Sequence, residues 1–177
     1  YQQMLLKRIR NHTEDVMRIK DFFGVCDLRE NKEFLYYLNR HNNDYDNTPA
    51  IQKLNKQWER LMPFSKRLFI IPGEDVRGEM KNTSWGFSLS MVYAKEFNVR
   101  AEPPVTHRMP ELCIHSAFKS SGKNGFTPYH LDFMRTFARQ NGLSLNGSAF
   151  GNLVCSILED GVVTGYFEAW MPVSRSL

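Results

Sequence analysis

The first hydrophobic pattern along the chain is a stripe of apolar positions spaced alternately four and three residues apart within residues 3–23. This spacing places side chains on one face of a helix. The helix is predicted either to pair with a second copy of the chain or to pack on its own domain, and both alternatives stand. The positions of the stripe are Leu5, Ile9, His12, Val16, Ile19 and Phe23.

Two further helices are predicted before residue 63. Asp27 and Glu30 form a capping-box pattern, which predicts a helix through residues 34–38 that ends near residue 42. Thr48 as N-cap and Pro49 at the first helical position predict another, which Pro63 ends. Its apolar face consists of Ile51, Leu54, Trp58 and Leu61. Residues 1–62 are therefore predicted to be a helical dimerisation or linker segment.

The composition changes after Pro63, where strand-type patterns begin and a second domain, residues 63–177, is predicted. Residues 67–72 form a short apolar run bounded by Pro and Gly, which is typical of a strand. Thr83 or Ser84 caps a predicted helix that ends at Asn98, and residues 100–105 are predicted to form an edge strand interrupted by prolines. This order makes one strand-helix-strand unit.

The same order follows a second time. A predicted strand over residues 111–118 leads through a turn rich in Gly and Ser to a helix opened by Thr127 and Pro128. That helix ends near residues 141–142, and strands are predicted over residues 152–158 and 162–171. Asp160 and Gly161 between them favour a tight hairpin turn, which needs positive φ at both central residues. The fold class is therefore α+β, with a duplicated strand-helix-strand unit after a helical segment.

Composition and charge narrow the class of protein. The chain has 177 residues, 42% of them hydrophobic, and a net charge of +4 with basic and acidic residues interleaved. Direct nucleic-acid binding by this segment is not expected. No run approaches the roughly 18 apolar residues that a membrane span needs, and no leader pattern is seen, so we expect a cytoplasmic protein. The first residue is Tyr1 rather than Met, and we expect a further module on its N-terminal side.

Metal, cofactor and enzyme motifs are absent from the sequence. Cys26, Cys113 and Cys155 are far apart and form no CxxC pair, which disfavours a disulfide framework and a zinc site. The sequence contains no G-x-S-x-G, no H-E-x-x-H and no phosphate-binding Gly loop. We therefore expect no catalytic residues, no metal and no cofactor. His115 is predicted either to contact Cys113 or Glu168 in space or, more commonly for a strand histidine, to be structural.

The last predicted strand carries a carboxylate among apolar residues. With Asp160 and Gly161 in the turn, alternation places Tyr166, Glu168 and Trp170 on one face of the strand. The same hairpin register sets Leu153 opposite Glu168 and Cys155 opposite Tyr166. A buried unpaired carboxylate is costly, whereas aromatic faces attract cations, so this face would suit a flat ligand cation. The alternative is a Glu168 paired with an internal Arg or Lys, or a solvated face. Other rings that the same cavity is predicted to gather are Trp85, Tyr93, Phe118, Tyr129 and Phe133.

The order of elements and the ending Gly165-Tyr-Phe-Glu-Ala-Trp-Met-Pro-Val173 resemble the GyrI-like effector-binding domain of bacterial transcription activators. The resemblance covers about residues 66–174. It implies one curved antiparallel sheet with two helices, and a ligand cavity that contains the glutamate matched by Glu168. It also implies attachment to the DNA-binding module of a MerR-type multidrug-responsive regulator through a dimerising helix. The two extra helices predicted over residues 24–62 depart from that pattern.

The function that these observations predict is a small-molecule sensor. We expect a hydrophobic, cationic effector, a homodimer, and contact with DNA only through a module outside this chain. Two alternatives are a stand-alone protein-binding module that acts like a gyrase inhibitor, and a small hydrolase of the same fold that uses Glu168 as base.

Overall fold

A computed structural model of the chain describes residues 2–121 and 125–175. Two short 3-10 helices, Lys20–Phe22 and Pro128–Leu131, directly follow α1 and precede α5. The α-helices are α1 Gln2–Ile19, α2 Pro49–Glu59, α3 Gly73–Arg77, α4 Met91–Glu96 and α5 Asp132–Gln140. The strands are β1 Asp27–Glu30, β2 Phe34–His41, β3 Asp44–Tyr45, β4 Lys66–Ile71, β5 Ser84–Ser90, β6 Thr106–Arg108, β7 Leu112–Ser121, β8 Leu143–Leu145, β9 Ala149–Glu159 and β10 Val162–Arg175.

The strands form one curved sheet in the order β1-β7-β10-β9-β4-β5-β2-β3, with β6 beside β2 and β8 beside β10. All of its ladders are antiparallel. The order contains a repeat. The elements β2, α2, β4 and β5 correspond, in their order along the chain and in the places of their strands in the sheet, to β7, α5, β9 and β10. The two repeats meet where β4 pairs with β9. The predicted α+β class with a duplicated unit is confirmed, although the first unit begins at Phe34 and not at residue 67.

The helix predicted from Asp27 to residue 42 is wrong, because these residues form β1 and β2. Along Phe34–His41 burial alternates, with Leu35, Tyr37 and Asn39 buried and their neighbours partly exposed. That period of two belongs to a strand. Pairing of β2 with β5 on one side and β6 on the other outweighs the weak local signal of the capping box. The predicted division of the chain at residue 63 stays a prediction, although strands from both sides of it pair in this sheet.

The helix predicted over residues 83–97 is also mostly wrong. Its first half is β5, in which Trp85, Phe87 and Leu89 point to one face, and only Met91–Glu96 is helical. The predicted edge strand over residues 100–105 is not formed, and the strand lies directly after it, at Thr106–Arg108. Because a Trp-Gly-Phe-Ser-Leu run alternates in polarity, the period-two pattern should have taken precedence over the capping signal.

The second half of the chain follows its prediction. Strand β7, the helical stretch from Pro128 to Gln140, and strands β9 and β10 lie where the sequence placed them. Asp160 and Gly161 have φ values of 50° and 78°, as the predicted hairpin turn requires. Most of the Gly- and Ser-rich turn, residues 122–124, lies outside the described residues.

The sheet has two differently covered faces. Helices α2 and α5 pack on one face, which we call the α2/α5 face, over two apolar clusters. Helix α1 and the 3-10 turn after it lie on the other face, which we call the α1 face. There Ile19 packs with Ala117, Val154 and Tyr166. The predicted stripe therefore packs on the chain's own domain at both ends, because Leu5 near its start packs against the cluster that contains Trp58 and Phe64. Residues of α1 that remain largely exposed are Leu6, Ile9 and Met17.

Replacing Gly86 by Ala is expected to destabilise the fold by at least about 3 kcal/mol. A Cβ atom at Gly86 would lie 1.8 Å from the carbonyl oxygen of Tyr37, and a backbone atom in the paired strand cannot move aside cheaply. The matched control is Gly78→Ala, because the nearest atom there is 3.1 Å away. Urea denaturation of both variants measures the difference, and equal losses of stability would contradict the predicted close approach of β5 and β2.

Candidate functional site

Glu168 lies in the middle of β10 on the α1 face, directly between Ala117 of β7 and Asn152 of β9. Its side chain is only 12% exposed. Tyr166 and Trp170 share this face, since they pack with residues of the α1-face clusters while Phe167, Ala169 and Met171 belong to the α2/α5-face core. The predicted face is therefore confirmed.

The hairpin register is partly as predicted. Tyr166 pairs with Cys155, as expected, but Phe167 pairs with Leu153 and Glu168 with Asn152. The predicted pairing of Leu153 with Glu168 is wrong because a register shift in β9 intervenes between Tyr166 and Phe167. Such a bulge adds one residue to one strand of an antiparallel pair. The shift places a polar side chain, Asn152, beside Glu168, and its Oδ1 accepts a hydrogen bond from Ser88 Oγ at 2.6 Å.

His115 joins Glu168 to a second carboxylate. Its Nε2 lies 2.8 Å from Glu168 Oε1, and its Nδ1 lies 3.0 Å from Asp27 Oδ1. Ionised carboxylates only accept hydrogen bonds, so both ring nitrogens donate when both carboxylates are charged, which describes an imidazolium. The His115 side chain is 2% exposed. Both nitrogens of this buried ring therefore have a hydrogen-bond partner, as buried polar groups require.

Further positive charge reaches Glu168 from α1 and β4. Arg18 Nη2 lies 3.9 Å from Glu168 Oε1. Lys66, at the start of β4, is the second cation near Glu168. Asp15 fixes the positions of both cations, because it pairs with Arg18 at 3.2 Å and with Lys66 Nζ at 3.5 Å. Burial of the carboxyl opposes its ionisation, but the hydrogen bond and charge of His115, with the charges of Lys66 and Arg18, hold the pKa of Glu168 below its ordinary value. Glu168 is therefore an ionised, covered carboxylate.

Aromatic rings surround the imidazole rather than the carboxylate alone. The ring of Trp170 lies 4.3 Å from that of His115, and the ring of Phe22 lies 5.1 Å from it at 69°. Phe23 packs on Tyr166 at 5.6 Å. A cation between aromatic faces and a carboxylate is the arrangement expected of a site for organic cations. Here His115 fills that position.

The other predicted site residues lie away from Glu168. Trp85 and Phe118 are on the α2/α5 face, in a cluster of rings with Phe69, Phe126 and Phe167, and Phe133 packs against the same core. Tyr93 of α4 packs on Phe64 and Phe97. Tyr129 is 53% exposed at the start of the helical stretch before α5. The structure thus brings Tyr166, Glu168 and Trp170 together and does not bring these five rings to them.

Several residues of the site were not predicted. Arg18 and Phe22 belong to no sequence motif, and Asp27 belongs to the capping-box pattern that predicts a helix. The alternative in which His115 contacts Glu168 is confirmed. Alternation along Cys113, His115 and Ala117 was the signal that could have placed the His115 side chain on the same face of the sheet as Glu168, in the neighbouring strand β7.

Glu168 does not line either of two concavities on the described surface. One is a groove of about 650 Å³ beside α5 and β8, and the other is a pocket of about 250 Å³ near Trp85.

Among residues 2–121 and 125–175, no group of three or more His, Cys, Asp or Glu side chains is placed to hold a metal ion. No described helix is both long and apolar enough to cross a membrane.

Comparison with solved structures identifies the fold. The C-terminal domain of EcmrR superposes with a TM-score of 0.54 at 10% identity, over 85% of this chain and 98% of that one. The chain has the fold of the EcmrR C-terminal domain. EcmrR in its complex with DNA gives a TM-score of 0.52 at 12% identity, over 99% of this chain and 70% of that one. The resemblance predicted from the sequence is confirmed at the level of the fold.

A third structure, SAV2435 bound to tetraphenylphosphonium, gives a TM-score of 0.41 at 14% identity over 84% of this chain and 93% of that one. A TM-score below 0.5 does not establish a shared fold with SAV2435. No protein-family model matches the sequence, and no curated protein matches it significantly.

A double-mutant cycle on His115 and Glu168 is expected to show strong coupling. His115→Gln leaves the covered carboxylate without its main partner and should cost roughly 3–5 kcal/mol of unfolding free energy. The double variant with Glu168→Gln should cost less than the sum of the single variants by about 1–3 kcal/mol. Urea denaturation measures all four proteins.

The matched control for this cycle is the exposed pair Arg100 and Glu102, which are 3.7 Å apart. Their coupling is expected to stay below about 1 kcal/mol. Equal coupling in the two cycles would contradict a special role for the buried pair.

The cysteines give a separate test of the packing of the α1 face. Burial raises the pKa of the Cys113 thiol to about 12, and this thiol is fully buried two residues before His115. A thiolate is the reactive form, so Cys113 should resist thiol reagents at pH 8 in the folded protein. Cys26 and Cys155 are partly exposed and should react first. Mass spectrometry after timed labelling checks the order, and early modification of Cys113 would contradict it.

Proposed function

We propose that this chain is the effector-binding domain of a transcription regulator and that Glu168 accepts a hydrophobic organic cation. One observation supports this proposal most directly. A covered carboxylate on the α1 face is kept ionised by side chains of this chain, and the imidazole that neutralises it stands between the rings of Phe22 and Trp170. These groups supply the counter-charge and the ring faces that an organic cation needs.

The internal cations act as competitors of the effector. Arg18 comes from α1, so a ligand cation that pairs with Glu168 replaces a contact that holds α1 on the sheet. A ligand shifts an equilibrium only by its different affinities for two states. The state in which α1 has left Glu168 is the one that binds the cation. Binding is thereby linked to the position of the N-terminal helix.

The regulatory part of the proposal draws support from the fold and from EcmrR, whose solved complex contains DNA. In this proposal α1 connects the effector domain to a DNA-binding module outside this chain. Dimerisation through α1 and the division of the chain near residue 63 belong to the same proposal. The exposed residues Leu6, Ile9 and Met17 are available on the outer side of α1. We do not propose catalysis, since the hydrogen bond to His115 engages the carboxylate that a hydrolase would use as base.

Tetraphenylphosphonium should bind the purified chain saturably, and tetraphenylborate, which has nearly the same shape and the opposite charge, should not bind at the same site. Glu168→Gln should weaken tetraphenylphosphonium binding about 10- to 100-fold, because it removes the only charge on the acceptor. Arg18→Met should strengthen it several-fold, because it removes a competing cation. Isothermal titration calorimetry measures each dissociation constant.

Glu96→Gln, an exposed change on α4, is the control and should leave binding unchanged. Since Arg18→Met and Glu168→Gln act in opposite directions, a general loss of folding cannot imitate the expected pair of results. The proposal is wrong if Glu168→Gln binds tetraphenylphosphonium as tightly as the wild type, or if tetraphenylborate competes for the same site. Hydrolysis of an activated ester that Glu168→Gln abolishes would favour a hydrolase instead.

A further inference from the structure

A second, separate concavity lies by the α2/α5 face, on the side of the sheet away from Glu168. It has a volume of about 250 Å³ and forms between the turn after β2, the residues that lead into β5, and Phe126. Trp85 supplies its apolar wall together with Phe126, whose ring lies 5.1 Å away at 81°. Polar groups that line it include Arg40, Asn42, Lys81 and Thr83. This volume is below the roughly 300 Å³ at which pockets for drug-sized ligands begin, so the pocket suits a single ring.

Two buried polar atoms of this pocket have no hydrogen-bond partner among the described residues. They are Arg40 Nε and Thr83 Oγ1, and Thr83 is 7% exposed. Other polar atoms of the same residues have partners, because Thr83 N donates to Asn42 Oδ1 at 2.9 Å and Arg40 Nη1 donates to Tyr45 Oη at 3.2 Å. Buried donors without acceptors are rare in folded proteins and destabilise them. Both atoms can donate, so the group that would satisfy them is an acceptor.

The pocket also carries uncompensated positive charge. The guanidiniums of Arg40 and Arg67 lie 5.4 Å and 5.9 Å from the Trp85 ring. None of the ion pairs found among the described residues includes either arginine. Burial and then the charge of Arg40 lower the pKa of Arg67.

Acidic groups near the pocket are already engaged. Lys81 Nζ pairs with Glu79 at 2.7 Å on the surface. Asp75 lies beneath residues 81–82, and its Oδ2 accepts hydrogen bonds from Lys81 N at 3.0 Å and Asn82 N at 2.6 Å. An incoming anion would therefore meet the guanidinium of Arg40 and the side chain of Thr83 in the pocket, with the guanidinium of Arg67 near the same Trp85 ring.

We propose that this pocket binds a small aromatic carboxylate. The carboxylate accepts hydrogen bonds from Arg40 Nε and Thr83 Oγ1 after these two side chains turn towards the pocket, since both atoms are closed to solvent in this structure. The ring packs against Trp85 and Phe126. Guanidinium groups match carboxylates in shape and charge, and the ring faces exclude water from the pair. The chain would then hold two ligand sites, one on each face of its sheet. The site at Glu168 would prefer cations and this pocket would prefer anions. This second site does not depend on the function proposed for Glu168.

Benzoate and benzamidinium test the proposal, because they have the same size and shape and opposite charges. Isothermal titration calorimetry of the full chain is expected to show saturable, one-to-one binding of benzoate. Arg40→Met and Thr83→Val should each weaken it about tenfold or more, as loss of a hydrogen bond to a charged group does. Thr83→Val keeps the shape of the side chain and removes an unsatisfied hydroxyl, so it should fold as well as the wild type. Benzamidinium should not displace benzoate.

Arg100→Met is the matched control, because Arg100 is an exposed arginine whose side chain is 72% accessible. It should bind benzoate like the wild type. Three results would each overturn the proposal: no saturable benzoate binding up to about 10 mM, a dissociation constant that both Arg40→Met and Thr83→Val leave unchanged, or inorganic phosphate binding as tightly as benzoate. Near-equal losses in Arg40→Met and Arg100→Met would overturn it as well, since they would point to general charge attraction.

Discussion

A carboxylate covered by a helix must be neutralised, and much of the α1 face is arranged around this requirement. Glu168 meets it through His115, which in turn needs Asp27 at its other nitrogen. Asp27 lies opposite His115 because β1 pairs with β7 in that register. Arg18 adds a weaker contact from α1. The position of the N-terminal helix, the edge strand β1 and the central strand β10 are therefore linked through one buried group of charges.

The duplicated fold would allow two such positions, and the sequence uses only one. Along one row of the sheet, Glu168 pairs with Asn152, Asn152 with Leu68, and Leu68 with Gly86. Since β4 corresponds to β9 and β5 to β10, Gly86 is the counterpart of Glu168 in the first repeat. Gly86 has no side chain because the backbone of β2 passes too close for a Cβ atom. Because only the second repeat has a glutamate at this position, the negative charge of Glu168 on β10 has no counterpart at Gly86 on β5.

The sequence predicted the second repeat well because its signals are local. Asp160 and Gly161 specify the hairpin, and alternation then places Tyr166, Glu168 and Trp170 on one face. The first repeat was predicted poorly because capping patterns at Asp27 and Thr83 suggested helices where strand pairing decides the structure. The partners of Glu168 and of His115 come from residues 18, 27 and 115, and contacts across such distances leave no spacing pattern in one sequence. The bulge in β9 likewise depends on both strands of the hairpin.

The ionisation of Glu168 is the central physical claim, and NMR can observe it directly. A titration of the side-chain carboxyl carbons of glutamate, with the signal of Glu168 assigned by its loss in Glu168→Gln, gives the pKa of this one group in the folded protein. A pKa below the ordinary glutamate value is predicted, because His115, Lys66 and Arg18 together outweigh burial. A pKa at or above the ordinary value would contradict the account, because it would mean that burial outweighs the stabilisation of the carboxylate by His115, Lys66 and Arg18.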